Sequence, residues 1–273
     1  MAGRRAVWAS SISSVVVLAA LIAVFFYAPG AAAFRYYFLR PHDLWQSFVG
    51  DPSKGLSSVG VGFITNIWMF CLCEVLVLTL GFLIAWIRIS VSAVMYPFRV
   101  LATAYTDVMR GLPIILVLFM IGFGVPALGL GWISLQSPAV YGCIVLTMSY
   151  SAYIAEVFRA GIFAVPHGQL LASRSLGLTQ SATMRRVILP QAVRTVIPPL
   201  LNDFISLQKD TALVSTLGAI EGLRAAEIYS STVFNYSGYV IAALLFLCLT
   251  IPMTRYTDRL IVRDRAKRLA GSQ

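Results

Sequence analysis

The chain alternates long apolar runs with short breaks that are mostly basic. A helix that spans a bilayer needs roughly 20 consecutive apolar residues, and the runs predict six such helices. The first run, Ala6 to Phe34, carries no charge and is most apolar from Ile12 to Tyr27. The second covers about Val59 to Ile87 and is interrupted by Glu74. The third, about Pro97 to Gly124, contains Asp107 and Arg110. A turn at Pro126-Ala-Leu-Gly-Leu-Gly131 separates it from a fourth near Ala139 to Phe158. A weaker fifth runs from about Val187 to Gln208, where Pro198-Pro199 are expected to kink the helix, and a sixth from about Tyr229 to Thr254. The pattern predicts an all-α membrane protein.

Composition agrees. The chain is 59% hydrophobic and 12% charged over 273 residues, with a mean hydropathy of +0.82, whereas soluble domains carry about a quarter charged residues. Six spans leave no room for a separate soluble catalytic domain. The cysteines Cys71, Cys73, Cys143 and Cys248 all lie in apolar runs and read as packing residues.

A net charge of +10 is compatible with nucleic-acid binding, but its distribution points elsewhere. One set of polar breaks holds Arg4, Arg5, Arg88, Arg99, Arg159, Arg174, Arg185, Arg186, Arg194 and the basic residues from Arg255 to Arg268. The opposite set holds only Arg35, Arg40, Lys54, Lys209 and Arg224. Cytoplasmic loops carry the excess of Lys and Arg, so both termini and the Arg159–Arg194 loop are expected in the cytoplasm, with no nucleic-acid partner. Arg4-Arg5 followed by an apolar core and Ala31-Ala32-Ala33 is also similar to a cleavable signal peptide. The length of the run favours an uncleaved anchor, and the other five spans keep their orientation either way. Residues 1–58 thus form an anchor with an extracytoplasmic segment, 59–258 the membrane core, and 259–273 a basic tail.

The polar segment between the fourth and fifth spans has a distinct design. It reads Gly168-Gln-Leu-Leu171-Ala172-Ser173-Arg174-Ser-Leu176-Gly177 and, after nine residues, Val187-Ile-Leu189-Pro190. Pro166 suits a helix start and Gly177 the left-handed position after a helix end. Thr179 suits the N-cap of a second short helix that ends with Arg185 and Arg186 near its negative pole. Two short helices meeting at Gly177 make a compact elbow.

This elbow resembles the cytoplasmic coupling loop of permease subunits in bacterial ATP-binding-cassette (ABC) importers. Arg110-Gly-Leu-Pro113, Tyr153-Ile-Ala-Glu156-Val-Phe-Arg159-Ala-Gly161, Pro198-Pro-Leu-Leu-Asn202-Asp203-Phe and Lys209-Asp-Thr-Ala-Leu-Val-Ser215 are similar to blocks of the polar amino-acid uptake branch, in order, over about residues 60 to 262. The resemblance implies a type I importer permease fold, with a five-helix core plus one N-terminal transmembrane helix, in a bacterial inner membrane. It implies two ATPase subunits, a second permease subunit (identical or similar) and an extracytoplasmic solute-binding protein as partners. ATP and Mg2+ belong to the partner ATPase. Gly168, Leu171, Ala172, Ser173, Arg174, Leu176, Gly177, Arg185, Leu189 and Pro190 would form the coupling surface. In one respect the chain departs from the family: the usual Glu-Ala-Ala is Leu171-Ala172-Ser173, so the glutamate contact to the ATPase is missing.

Charges inside spans are costly and normally face a cavity or a partner. Asp107, Arg110, Asn202, Asp203 and Lys209 are therefore candidates for a substrate path. Arg110 can take an α-carboxylate, or pair with Asp107 three residues earlier. Glu156 and Arg159, at the same spacing, are expected to form a local ion pair. Glu74 is expected to face protein. The chain has no GxxxxGK[ST] phosphate loop, only His42 and His167, and no GxSxG, so no ATPase, HExxH zinc or hydrolase chemistry is expected, and no cofactor or metal. An ion-driven transporter using Glu74, Asp107 and Asp203, a membrane scaffold, and an importer of an opine or ectoine-like zwitterion are the competing readings.

Overall fold

The computed structural model describes residues 2–270, and the side chains of residues 13–20 and 22–263. Arg4, Arg5, Arg265, Lys267 and Arg268, which contributed to the expected orientation, lie outside the described side chains. Among the described residues the fold is helical, apart from one isolated bridge between Asp51 and Leu56.

Among the described residues three helices are long and apolar enough to cross a membrane: α4 (Val59–Ile89), α7 (Pro138–Phe163) and α12, whose apolar portion lies within Ser237–Arg263. Two further apolar stretches are bent pairs. The expected first span ends at Tyr27, where α1 (Ala2–Tyr27) turns by 83° into α2 (Ala31–Phe38) and α3 (Pro41–Val49). Arg35 stabilises that corner by donating to the Phe25 and Phe26 carbonyls (3.0 and 3.3 Å), which are among the carbonyls the end of α1 leaves unpaired.

The expected third span is not a single helix. α5 (Tyr96–Gly111) and α6 (Ile114–Ala127) meet at 107°. Pro113 forces Leu112 into an extended conformation (φ −98°, ψ 138°), and neither half, at roughly 20–25 Å, crosses the hydrocarbon layer alone. In the fifth region α10 (Leu189–Asp210) is one helix with Pro198-Pro199 in its interior. The sixth span begins later than expected, because Tyr229 belongs to a separate helix, α11 (Gly222–Val233), and is fully buried. Phe234 in the left-handed conformation (φ 55°) turns the chain from α11 into α12 (Ser237–Ala270), which continues past position 258.

The core forms where α4 crosses α7. A Cβ on Gly81 would lie 2.7 Å from Ile154 and one on Gly142 2.3 Å from Val214, so glycine permits both approaches. Met69, Phe70, Cys73 and Val77 of α4 pack there with Cys143, Leu146, Tyr150 and Ile154 of α7 and Leu207 of α10. All four cysteines are free.

The N-terminal segment is tied to this core at the end of the bundle opposite the elbow. Asp43 of α3 is 5% exposed. It accepts from Tyr229 Oη (3.2 Å) and Asn235 Nδ2 (3.1 Å), which stand on α11 and on the turn into α12. Asn235 Nδ2 also donates to the Tyr36 carbonyl.

Candidate functional site

The elbow is built by local signals. α8 (His167–Ser175) ends at Gly177, whose φ is +75°. The Gly177 N–H donates to Arg174 O (2.9 Å) and the Leu178 N–H to Ser173 O (3.2 Å), the paired bonds of a Schellman cap. Thr179 caps α9 (Gln180–Thr183) by accepting from the Ala182 N–H at 3.3 Å. Ser173 is buried and donates to Thr183 Oγ1 (3.1 Å), pinning the two short helices together.

Residues 184–188 then form one π turn that leads directly into α10, with Pro190 in the first turn of α10. Pro190 has no N–H to donate backward, and a wider turn before it accommodates that loss. The elbow packs on itself and on the start of α10, without extensive contact to the other long helices. Gly168, Leu171, Ala172, Arg174, Leu176, Gly177, Arg185, Leu189 and Pro190 are exposed, and only Ser173 of the expected coupling set is buried.

Just before the elbow, Glu156 accepts from Arg159, as its spacing predicted, and also from Arg88 Nη1 at 2.9 Å. Arg88 lies 68 positions earlier, at the end of α4, and its side chain is 11% exposed. The cluster ties α4 to α7 at the elbow end. Sequence spacing carries no signal for Arg88.

The expected path residues fall into separate groups. Arg110 does not pair with Asp107; among the described residues no ion pair joins them. Its guanidinium instead lies over the Tyr153 ring, 5.9 Å from the centroid. Both Arg110 and Asp107 are exposed, and exposed pairs at this spacing contribute only about 0–1 kcal/mol, so a ring face competes successfully. Arg110 stands at the α5–α6 break, which the hydropathy pattern missed and which Gly111-Leu-Pro113 signals. Asn202 is exposed and Asp203 half-buried. Asp203 on α10 and Glu74 on α4 stand on helices that meet at the edge-on pair Phe70–Phe204. Lys209 is exposed at the far end of α10, beside Asp210, which accepts from Tyr150 Oη at 2.7 Å.

A buried polar cluster at that far end has no counterpart in the sequence pattern. Glu221 is fully buried and caps α11 by accepting from the Leu223 and Arg224 N–H groups (2.9 and 2.7 Å). It also accepts from Asn66 Nδ2 of α4 at 2.9 Å, while Asn66 Oδ1 receives the Gly222 N–H at 2.9 Å. Burial pushes the Glu221 carboxyl up from the ordinary range, against the downward pull of these donors. A Cβ on Gly62 would lie 2.7 Å from the Glu221 backbone, so α4 approaches this loop as closely as glycine allows.

Residues 78–263 match the profile of the binding-protein-dependent transport system inner membrane component family. The probable glutamine ABC transporter permease protein GlnM of Bacillus subtilis (strain 168) is 39% identical over 64% of this chain and 78% of its own length. The nopaline transport system permease protein NocQ of Agrobacterium fabrum (strain C58 / ATCC 33970) is 36% identical over 57% of this chain and 70% of its own. Among solved structures, the crystal structure of an amino acid ABC transporter with histidines superposes with a TM-score of 0.68 at 32% identity, covering 76% of this chain and 93% of that one. The helical elbow between α7 and α10, the apolar bundle and these likenesses agree with the type I fold that the sequence blocks implied. This chain belongs to the binding-protein-dependent transport system inner membrane components, in the amino-acid branch of the ABC importer permeases.

Proposed function

We propose that the chain translocates a polar amino acid, such as glutamate, glutamine or a basic amino acid, by alternating access, driven through the residue 166–187 elbow by a separate ATPase. The single observation that carries this reading is the continuity of the elbow with α10. The π turn at 184–188 passes into α10 without a break, and 22 helical residues extend about 33 Å. Movement of the elbow is therefore transmitted toward Asn202, Asp203 and Lys209. Two ATPase subunits supply ATP and Mg2+, a second permease copy or a similar chain completes the path, and a solute-binding protein delivers the cargo outside. Both termini then lie in the cytoplasm, and this chain itself binds no cofactor. Closure of the ATPases draws the elbows together and opens the path outward, and hydrolysis resets it.

An opine cargo is a second reading, favoured by the likeness to a permease named for nopaline. The test is uptake by the complex in proteoliposomes, scanned over polar amino acids and opines. Arg110→Ala is expected to lower uptake of carboxylate-bearing cargo about tenfold, the scale of one lost charge-assisted contact. Unchanged uptake would return Arg110 to a packing role on Tyr153, and uptake that persisted without the ATPase would favour the ion-driven alternative.

A further inference from the structure

The elbow carries no carboxylate. Between Glu156 and Asp203 the sequence contains no Asp or Glu, while Arg159, Arg174, Arg185, Arg186 and Arg194 all fall in that interval. Glu156 is already taken up by Arg88 and Arg159. Arg174, Arg185 and Arg186 are exposed, and among the described residues none of the three pairs with an acid. Membrane topology alone accounts for basic residues on a cytoplasmic loop, but it does not account for what stands beside them. Leu171 is 55% exposed and Leu176 82% exposed on a short polar elbow. Leu171 and Arg174 are three apart on α8 and so share a face. The elbow thus presents two uncovered leucines within a purely cationic surround. Exposed leucines beside unpaired arginines leave both apolar and charged groups available to a partner.

Resting on the proposed coupling role, we infer that this elbow selects an ATPase whose docking groove is acidic at its rim and apolar at its floor. Leu171 and Leu176 enter the floor, and Arg174, Arg185 and Arg186 meet carboxylates of the groove. Charge complementarity of this kind sets partner choice and association rate, so a groove with cations at its rim would be rejected by this elbow, whose arginines would face them with no acid to answer.

The test uses the permease in detergent without anionic lipid and the separately purified ATPase subunit of the same importer, with affinity measured across a salt series. Wild-type affinity is expected to fall as salt rises. Arg185→Gln with Arg186→Gln should weaken binding about tenfold and flatten the salt dependence. Leu171→Glu should also weaken binding, because it puts a carboxylate into the apolar floor with an acidic rim around it. It leaves the buried Ser173–Thr183 pin untouched, and circular dichroism checks that the elbow helices remain. Tighter or unchanged binding by Leu171→Glu overturns the inference. So does an arginine effect that emerges only when anionic lipid is added, which would assign Arg185 and Arg186 to the bilayer. A wild-type permease that recruits no ATPase overturns the coupling role itself, a separate outcome from recruitment that ignores charge.

Discussion

Gly177→Pro is expected to reduce ATP-driven uptake at least about tenfold while the chain still inserts in the membrane. Gly177 holds φ +75°, and proline is confined near −65°, so the turn between α8 and α9 cannot form. The substitution also deletes the N–H that donates to Arg174 O, and with it half of the Schellman cap. Gly177→Ala separates the causes. Nothing lies within 4 Å of a Cβ at this position, so alanine meets no clash and carries only the left-handed strain of about 1–2 kcal/mol. Uptake per ATP hydrolysed in proteoliposomes should therefore fall slightly for alanine and collapse for proline. Equal coupling in all three proteins would remove the elbow from the mechanism.

The second large effect is expected at the other end of the bundle. Glu221→Ala removes the acceptor of the Leu223 and Arg224 N–H groups and one of the two acceptors of Asn66 Nδ2, which keeps Thr211 Oγ1. Hydrogen bonds to a charged group contribute about 1.5–3 kcal/mol each, and leaving such donors buried and unmade costs a comparable amount. The contacts are shared with an N-cap, so the energies do not simply add, but a loss of several kcal/mol is expected. Detergent-solubilised protein should show a markedly lower Tm. Glu221→Gln keeps one acceptor oxygen and should fall between wild type and Glu221→Ala. A Glu221→Ala protein with wild-type Tm would mean the cluster is incidental to the joint between α4 and α11.

The contrast between these two sites explains why one is legible in the sequence and the other is not. The elbow is encoded within about twenty residues: Gly177 demands a left-handed turn, Thr179 caps the next short helix, and the runs on either side declare spans. Each of these signals is local. Glu221 and Asn66 are 155 positions apart, Asp43 and Asn235 192, and Arg88 and Glu156 68. Nothing in the neighbourhood of one residue announces its partner, so neither Glu221 nor Asp43 stands out along the chain. Hydropathy also misplaces two boundaries. It does not register that Pro113 divides an apolar run into two helices at a steep angle, although the extended bias of the residue before proline carries that information. Nor does it separate α11 from α12, because Tyr229 is apolar enough to extend the run and the break depends on a single left-handed residue, Phe234. Spacing alone foresees Glu156–Arg159 but wrongly allows Asp107–Arg110, since exposed charges three apart pair only when nothing better, such as the face of Tyr153, is within reach.

The most direct test of the coupling account is the side of the membrane on which the elbow lies and what covers it. Ser175 is exposed on α8, so Ser175→Cys can be labelled with a membrane-impermeant maleimide in a background lacking Cys71, Cys73, Cys143 and Cys248. Fast labelling in inside-out vesicles, slowed when the ATPase subunit is added, is the predicted result. Labelling from the outside of sealed right-side-out vesicles, or a rate in inside-out vesicles that the ATPase leaves unchanged, would contradict it.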